Sequence, residues 1–442
     1  MLNIGYVSLR ARFGFNPEEA ERLFQAGRTV LAPFGTVVCP DALVMTTEEA
    51  KAANEQWKKQ GIELLVLQVG TFPSGELLAP LLKDLSVPVL LWALPEPAFD
   101  GGNLQLNSLC GVHLLASLLK RQHRSYHYVH VHPEKDVTEL VRYLRAFTVA
   151  RKLRQMRVGL IGSHTPGFDA MAVDARSLKE KIGPEVVYIG LDEVFSGAGK
   201  VAASRREELK EQIRGQFDNA GELPPEKLDK FANTYASVEQ QAREKRVESV
   251  SVRCWPEFIE NYGQAACCTV SKLTDDGIVA GCEGDVLGTV TSSIMREFAG
   301  GSPPFLADLV HADYDTNEAT LWHCGAAPFS LVAPGEKVLL GEEFGIGGLN
   351  VEFPLKSGEV TIARLGYLDG KYRMLVTTGE ALKIGPIVRG TVAQVKCDAD
   401  LKRLVDELIY GGWEHHVTMI YSNVAAELET LCRVLEIECV RL

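Results

Sequence analysis

The sequence has no excess of positive charge and no long apolar run. Its 442 residues include 46 Lys and Arg against 58 Asp and Glu, so the formal net charge is -12. Such a chain has little with which to neutralise phosphates, which argues against a nucleic-acid partner and an anionic membrane surface. No apolar run approaches the roughly 20 residues that span a bilayer. The first residues, MLNIGYVSLRARFGF, are typical of a strand and lack the pattern of a signal peptide. We therefore expect a soluble, cytoplasmic protein.

Several catalytic and metal-binding signatures are also missing. The sequence contains no C-x-x-C pair, no P-loop and no Gly-x-Ser-x-Gly nucleophile elbow. The run 313–318 begins like an EF-hand loop, but Glu318 stands where that loop needs glycine, so we reject calcium. Of the ten cysteines, Cys254, Cys282 and Cys397 lie within apolar runs. Without an export signal, this placement predicts reduced residues of the core.

Apolar runs alternate with helical patterns along the first 325 residues. In the first 150 residues the predicted strands are 3–8, 36–39, 64–69, 87–92 and 126–131. A second alternation contains the predicted strands 157–161, 185–189, 247–252, 277–282 and 305–310. Short apolar strands separated by helices are typical of parallel sheets buried on both faces. The sequence thus predicts two Rossmann-like α/β domains, an N-terminal one over 1–150 and a second one over 151–325.

After Trp322 the pattern changes to short β-rich runs separated by turns. The runs 360–366 and 371–377 flank Asp369-Gly370, which is a strong hairpin signal. Helical periodicity returns only at 398–409. These features predict a C-terminal antiparallel, barrel-like domain over 326–442 that ends in a helical tail.

Two carboxylates stand at positions where an acidic side chain is unusual. Glu283 follows the apolar run GIVAGC, and the carboxyl ends of parallel strands are where α/β sheets bind ligands. Asp308 lies within the apolar run FLADLV, where a buried carboxylate is costly unless a cation or hydrogen-bond donors compensate it. Either residue could serve a ligand site. A helix cap at Glu283 and a buried ion pair at Asp308 are the structural alternatives.

Histidine pairs offer two further candidates. His415 and His416 are adjacent in GGWEHHVT, so their side chains diverge and at most one would point into a given site, with the other supporting it. From the residues alone, a surface loop is the favoured interpretation of this segment. His130 and His132 would share one face of a strand and could hold a metal, but a packing surface between subunits is favoured there.

Taken together, these segments resemble those of the L-fucose and L-arabinose isomerase superfamily. The resemblance spans essentially the whole chain, is strongest from Arg253 onward and is only architectural over the first 150 residues. The segments that carry it are CEGD (282–285), FLADLVHADYD (305–315), LWHCGAAP (321–328), GYLDGKYRMLV (366–376) and GGWEHHVT (411–418).

The resemblance implies a divalent ion, usually Mn²⁺, held by Glu283, Asp308 and one histidine of the 415–416 pair, preferably His416. In arabinose isomerases a further histidine is a ligand, and His323 occupies the corresponding place as a fourth ligand. His415 would then support the site. Asp308 matches the aspartate of fucose isomerases, whereas arabinose isomerases have glutamate there, so the resemblance leaves the sugar open. Carboxylates and imidazoles with open positions suit Mn²⁺, Co²⁺ or Mg²⁺ better than a closed zinc site.

The resemblance also implies a homo-oligomer, a trimer or hexamer, whose sites are shared between subunits. By analogy, Gln105 and Asn107, or Trp92 and Glu96, would reach the sugar from a neighbouring subunit's first domain. Ordinary loop polarity is the favoured alternative for each of them. Trp255 could stack on the sugar, and a core position is its equally good alternative.

The implied reaction interconverts an aldose and a ketose through a cis-enediol. It moves a proton between C1 and C2, and a divalent cation stabilises the developing negative oxygen. Glu283 and Asp308 would be both metal ligands and the acid–base pair. The candidate sugars are L-fucose or D-arabinose, L-arabinose, and a modified hexose such as a sulfo-sugar. A sulfonate would need a cationic partner, for which Arg253, Arg364 and Lys356 are available.

Two other functions remain open from the sequence. A divalent metal beside two carboxylates could also serve a metal-dependent aldolase or hydrolase. Paired α/β domains could form a non-catalytic cytoplasmic sugar-binding protein, although the two carboxylates would then be unexplained.

Overall fold

The computed structural model describes residues 1–341 and 348–442. Within this part of the chain, two compact units cover Met1–Thr148 and Val149–Leu442. The boundary falls within helix α5 (Thr138–Gln155). None of the described helices is long and apolar enough to cross a bilayer.

The first unit contains a five-stranded parallel sheet. Its strand order is β2-β1-β3-β4-β5. Strands β3 and β4 are buried at every residue, as their uninterrupted apolar sequences predict. The elements are β1 (Leu2–Leu9), α1 (Pro17–Leu31), β2 (Gly35–Val38), α2 (Thr47–Gln60), β3 (Leu64–Val69), α3 (Leu78–Leu82), β4 (Val89–Ala93), α4 (Ser108–Arg121) and β5 (Tyr126–His130).

A four-stranded parallel sheet begins the second unit. Its order is β7-β6-β8-β9, so both sheets confirm the predicted parallel α/β class. The elements are β6 (Arg157–Ile161), α6 (Ala175–Lys181), β7 (Glu185–Ile189), α7 (Leu191–Ala198), α8 (Ala203–Gln216), α9 (Pro225–Glu244), β8 (Ser249–Val252), α10 (Cys267–Asp275), β9 (Val279–Gly281) and α11 (Val286–Phe298).

The rest of this unit contains a barrel-like sheet, with nine strands among the described residues. Six antiparallel strands close in the order β16-β11-β10-β17-β14-β15, and the pairing of β15 with β16 completes the ring. This confirms the predicted antiparallel barrel. The elements are β10 (Phe305–Asp313), β11 (Glu318–His323), β12 (Leu339–Gly341), β13 (Asn350–Pro354), β14 (Gly358–Leu368), β15 (Lys371–Ala381), β16 (Thr391–Cys397), α12 (Leu401–Tyr410), β17 (His416–Ile420), α13 (Ala425–Leu435) and β18 (Glu438–Arg441).

The hairpin predicted around Asp369-Gly370 is confirmed. β14 and β15 pair along their whole length, and the two turn residues have φ values of 50° and 77°. Positive φ at both central positions is the requirement of a tight hairpin turn that follows the natural twist of the strands.

Strand β10 belongs to the barrel, whereas its sequence pattern placed it in the second parallel sheet. It pairs antiparallel with β11 and β17. The reason is the short turn after Asp313, whose carboxylate accepts the N–H groups of Asp315 and Thr316. A connection this short can only join antiparallel strands. The structure thus places β10 and β11 in the barrel. The proposed domain boundary between residues 325 and 326 remains a prediction.

The helical tail is also more elaborate than predicted. Two strands, β17 and β18, alternate with its helices, and β17 lies between β10 and β14 in the centre of the sheet. The surface-loop interpretation of GGWEHHVT is consequently wrong for His416, which is the first residue of β17 and fully buried.

Candidate active site

Glu283 lies at the carboxyl edge of the second parallel sheet, between β9 and α11. Its φ is 61°, a left-handed conformation that is uncommon outside glycine. The next residue, Gly284, has φ 73°, and a Cβ there would lie 2.3 Å from the carbonyl oxygen of Ser163. The N–H of Thr165 donates to the carbonyl oxygen of Glu283 at 3.1 Å. This tight loop fixes the direction in which Glu283 leaves the sheet.

The barrel supplies the facing residues. In the register of β10 and β17, Asp308 lies directly opposite His416. Side chains at opposite positions of antiparallel strands are close neighbours. His323 ends β11, which is the other neighbour of β10. Strand pairing therefore brings together Asp308, His323 and His416 from three separate segments of the sequence.

Five side chains from the sheet edge and the barrel converge, and we refer to them as the carboxylate–histidine cluster: Glu283, Asp308, His323, His415 and His416. The Nε2 atom of His416 lies 3.6 Å from Oε2 of Glu283 and 3.7 Å from Oδ1 of Asp308. The Nε2 atom of His415 lies 3.1 Å from the same Glu283 oxygen. Two groups of three have all their ligand atoms within 4.8 Å of one another, and His416 belongs to both: Glu283, His415 and His416; Asp308, His323 and His416.

A network of buried charges lies behind His416. Its Nδ1 atom is 3.0 Å from Oδ2 of Asp285, and Arg364 binds both oxygens of that carboxylate. The Nε of Arg364 also lies 3.4 Å from Glu414. The side chains of His416 and Arg364 are both 0% exposed and that of Asp285 is 1% exposed. Burial raises the pKa of Asp285, but the Arg364 charge and the His416 hydrogen bond outweigh it and hold that pKa below its ordinary value.

The two buried histidines differ in what their Nδ1 atoms contact. Because a carboxylate faces Nδ1 of His416, the neutral ring carries its proton there and leaves the Nε2 lone pair free. In His323, Nδ1 instead lies 2.9 Å from the backbone nitrogen and 3.3 Å from the Sγ of Cys324. Burial lowers the pKa of His323, but the charge and the hydrogen bond of Cys324 raise it to about 10, so Nε2 carries a proton near neutral pH. Neither Nε2 atom has a hydrogen-bond partner among the described residues. Buried nitrogens of this kind are expected to face a ligand.

His415 and Glu283 stabilise each other's charged form. Burial lowers the pKa of His415, but its hydrogen bond to Glu283 and the nearby carboxylates produce a net rise. Burial raises the pKa of Glu283, but the hydrogen bond from His415 and the charges of the neighbouring histidines produce a net decrease. Glu283 is thus held as an ionised carboxylate, the form that binds a cation or accepts a proton.

A cavity of about 320 Å³ opens beside the cluster, and we refer to it as the site cavity. Trp255 forms part of its wall, and its Nε1 lies 3.4 Å from Oε1 of Glu283. Phe168 packs edge-on against Trp255 and His415. The lining residues are Cys254, Trp255, Ile259, Ala265, Cys267, Glu283, Asp308, Trp322, His323 and Cys324. Aromatic walls beside carboxylates suit a sugar, which has apolar C–H faces and many hydroxyl groups.

Several predicted candidates lie outside this cluster. Gln105 and Asn107 belong to the first unit, where the Glu96 carboxylate accepts the backbone N–H groups of both residues. Trp92 is buried in that unit, and its indole N–H donates to the carbonyl oxygen of Val131. Its predicted contact with a sugar is therefore wrong, because a 0% exposed ring cannot stack on one.

The alternative metal pair gains no support from the described part of the chain. Neither His130 nor His132 belongs to a group of three residues that could hold a metal ion there. His132 instead accepts the backbone N–H of Glu134 through Nδ1.

Sequence reasoning missed the network behind His416. The sequence makes Arg364 a candidate partner for an anionic sugar, but its guanidinium is occupied by Asp285 and Glu414. Arg253 binds Ser163 and Glu257, and Lys356 lies over the ring of Tyr421. The sequence signal for the network behind His416 is Arg364 itself, a charged residue in the middle of the apolar run VTIARLGYL, since a buried cation requires a buried anion.

The chain is similar to known sugar isomerases. Residues 322–441 match the family model for the L-fucose isomerase C-terminal domain, and residues 17–157 match that for the fucose/sulfoquinovose isomerase N-terminal domain. The sulfoquinovose isomerase of Priestia megaterium is 31% identical over 410 residues, 91% of each chain. That of Alkalicoccus urumqiensis is 29% identical over 454 residues and covers 100% of both chains.

Among solved structures, one similar chain is a periplasmic solute-binding protein from Actinobacillus succinogenes with bound D-allose. It is 12% identical, its match covers 59% of this chain and 82% of its own, and the TM-score is 0.17. A likeness this low carries no argument about function.

Proposed function

Because the chain belongs to the family of fucose and sulfoquinovose isomerases, and is thus an aldose–ketose isomerase, we propose that it converts sulfoquinovose into the corresponding ketose. Family membership confirms the resemblance found in the sequence and sets aside the binding-protein and aldolase alternatives. The observation that supports sulfoquinovose is the 31% identity to an enzyme of that name over 91% of both chains.

We assign a divalent metal ion to Glu283, Asp308 and His416. The donor set fits such an ion: the two carboxylates and the imidazole converge, and the Nε2 atom of His416 is buried without a partner among the described residues. Oxygen and imidazole ligands favour Mn²⁺, with Co²⁺ and Mg²⁺ as alternatives. When bound, the ion supplies Lewis acidity to the oxygens of the sugar.

Glu283 and Asp308 are the groups we assign to proton transfer. In the aldose-to-ketose direction, Glu283 takes the proton from C2 and returns a proton to C1. Asp308 moves the hydroxyl proton from O2 to O1, so the enediol forms and collapses with no net gain or loss of protons. His415 keeps Glu283 ionised and in place through its 3.1 Å hydrogen bond.

His323 is better suited to donate a hydrogen bond than to be the fourth ligand. Its Nδ1 contacts Cys324, and its raised pKa keeps a proton on the Nε2 atom at the cavity. A fourth ligand would need an Nε2 atom that carries no proton. We therefore propose that His323 binds a sugar oxygen that gains negative charge in the reaction.

We further propose that the protein works as a homo-oligomer, a trimer or hexamer, in which Gln105 and Asn107 of a neighbouring copy contact the sugar. The support is the family relationship, which includes the N-terminal domain that contains both residues.

The experiment that tests the proposal is an isomerase assay of the purified, Mn²⁺-loaded protein in D₂O. The substrates are sulfoquinovose, glucose as its uncharged counterpart, L-fucose and L-arabinose. We expect turnover of sulfoquinovose far above that of glucose, with deuterium entering at C1 of the ketose or C2 of the aldose. Preferential turnover of L-fucose or L-arabinose would reject the assigned substrate. Isomerisation without solvent deuterium would contradict the enediol route.

A further inference from the structure

Three cysteines line the site cavity and a fourth pairs with one of them, and we refer to Cys254, Cys267, Cys282 and Cys324 as the thiol cluster. The Sγ atoms of Cys254 and Cys282 are 3.0 Å apart, and those of Cys267 and Cys324 are 3.5 Å apart. Each pair has at least one member in the wall of the site cavity, so the two pairs lie beside each other. All four are free thiols.

The proposed isomerase chemistry does not use this cluster. Ordinary core packing explains single buried cysteines, but it does not require four sulfur atoms to be mutual neighbours. The members come from four separate segments, since the paired residues are 28 and 57 positions apart. Three of them are adjacent in sequence to residues of the site cavity: Cys254 to Trp255, Cys282 to Glu283, and Cys324 to His323.

The four thiols differ in access. Cys254, Cys267 and Cys324 all line the cavity, but Cys254 and Cys267, like Cys282, are only 1% to 3% exposed, whereas Cys324 is partly exposed. A small oxidant that enters the site would therefore meet the Cys324 sulfur first. Oxidation of cysteine is selective for such accessible sulfur atoms, and a neighbouring thiol can resolve the product.

We propose that the thiol cluster is a site of reversible oxidation, at which a hydroperoxide converts the two thiol pairs into disulfides and thereby inactivates the enzyme. The Cys324 sulfur attacks the peroxide O–O bond and becomes a sulfenic acid, and hydrogen peroxide leaves as water. The Cys267 thiol then forms an S–S bond with Cys324 and releases a second water. Two thiols have lost two electrons and two protons, and the peroxide has gained them.

Thiol–disulfide exchange then moves the oxidation to the pair Cys254 and Cys282. The Cys282 thiol attacks the Cys324 sulfur and releases Cys267 as a thiol. The Cys254 thiol then attacks the Cys282 sulfur and releases Cys324, which leaves a disulfide between Cys254 and Cys282. Cys267 and Cys324 are then thiols again and can react with a second peroxide, so two equivalents of peroxide form two disulfides.

The disulfides would distort the active site. An S–S bond is about 2.05 Å long, so the Cys254 and Cys282 sulfur atoms must approach by roughly 1 Å. This shift acts on backbone directly next to Trp255 and Glu283. A misplacement of about 1 Å at reacting groups can lower turnover about 100-fold. This consequence rests on the proposed function, whereas formation of the disulfides does not.

The test treats the Mn²⁺-loaded enzyme with hydrogen peroxide, maps disulfides by mass spectrometry of peptides under non-reducing conditions, and measures isomerase activity before and after dithiothreitol. We expect links between Cys254 and Cys282 and between Cys267 and Cys324, a loss of activity of at least tenfold, and recovery on reduction. The Cys324→Ser variant should form neither link at the same peroxide dose. Cys110→Ser, which removes an exposed thiol elsewhere, should behave as wild type.

Each remaining outcome counts against the proposal. Irreversible sulfinic acid at Cys324 without any link would overturn it, and so would links that form equally well in Cys324→Ser. Mapped links without loss of activity would contradict the inactivation. The disulfides are mapped in wild-type protein, so this result remains valid even if a variant fails to fold. It also does not depend on which sugar the enzyme uses.

Discussion

The carboxylate of Asp285 accepts the Nδ1–H of His416 at 3.0 Å, on the edge of the ring away from the Nε2 atom that faces Glu283 and Asp308. This contact determines which nitrogen of His416 is free for a ligand. Removing two charges such as Asp285 and Arg364 from water is costly, so their complete burial behind one histidine indicates that the pair serves the site.

Substitution of the carboxylate behind His416 should weaken metal binding. In Asp285→Asn the hydrogen bond to His416 loses its charge, and such changes typically lower metal affinity by about 10- to 100-fold. Titration of metal-free protein with Mn²⁺, followed by calorimetry, measures the Kd. Asp315→Asn, in the exposed turn after β10, is the matched control. An unchanged Kd in Asp285→Asn would show that this carboxylate does not orient the ligand.

The same substitution should also destabilise the fold, because it leaves the buried Arg364 without its main counter-charge. Losing one partner of a buried pair costs about 3–5 kcal/mol. Urea unfolding of the metal-free protein measures this difference. The double variant Asp285→Asn, Arg364→Met removes both charges and should recover part of the loss. Equal stability of the single and double variants would argue against a charge effect.

The stability of metal-free protein should depend on pH through Asp285. Its pKa in the folded protein is below the ordinary Asp value of about 3.9. The unfolded chain therefore binds the proton more readily. The stabilisation by ionised Asp285 is present above about pH 4 and is lost as the pH falls toward the folded pKa. The free energy of unfolding should decrease more steeply below pH 4 in wild type than in Asp285→Asn. Parallel curves would contradict this assignment.

Glu283→Gln should abolish turnover without unfolding the protein, because the amide can neither take the C2 proton nor carry the charge that a metal ligand needs. We expect kcat to fall by about 1000-fold or more, within the range for loss of an essential proton-transfer group. Glu260→Gln, at a nearby exposed position, is the matched control. Thermal unfolding of both variants checks the fold. Turnover at the wild-type rate in Glu283→Gln would rule Glu283 out as the base.

His323 and His416 should respond differently to the same substitution. His416→Gln removes a ligand, so we expect Mn²⁺ affinity to fall by at least 100-fold. His323→Gln should change Mn²⁺ affinity less than threefold but lower kcat by about 10- to 100-fold, because a hydrogen-bond donor to a charged oxygen is lost. Calorimetry and steady-state kinetics separate the two effects. A loss of Mn²⁺ binding in His323→Gln as large as that in His416→Gln would restore His323 as the fourth ligand.

Local sequence patterns determined much of the architecture. Uninterrupted apolar runs such as LLVLQV predicted parallel strands buried on both faces, and Asp369-Gly370 between two alternating runs predicted the β14–β15 hairpin. These features depend on side-chain periodicity and turn geometry over a few residues. The unusual placement of Glu283 at a strand end and of Asp308 in an apolar run was likewise readable from the chain, although both residues kept structural alternatives until the family resemblance was considered.

The tertiary structure alone decided how these pieces meet. Strand β10 joined the barrel because a short turn ties it to β11, and the pairing of β10 with β17 placed His416 opposite Asp308. Asp285 contacts His416 across 131 positions and Arg364 across 79, and the thiol cluster draws on four segments. Periodicity fixes which face a side chain occupies, but the register between distant strands decides which side chains become neighbours. That register depends on packing of the whole unit, so neither the partners of Arg364 nor the thiol cluster could be read from the sequence.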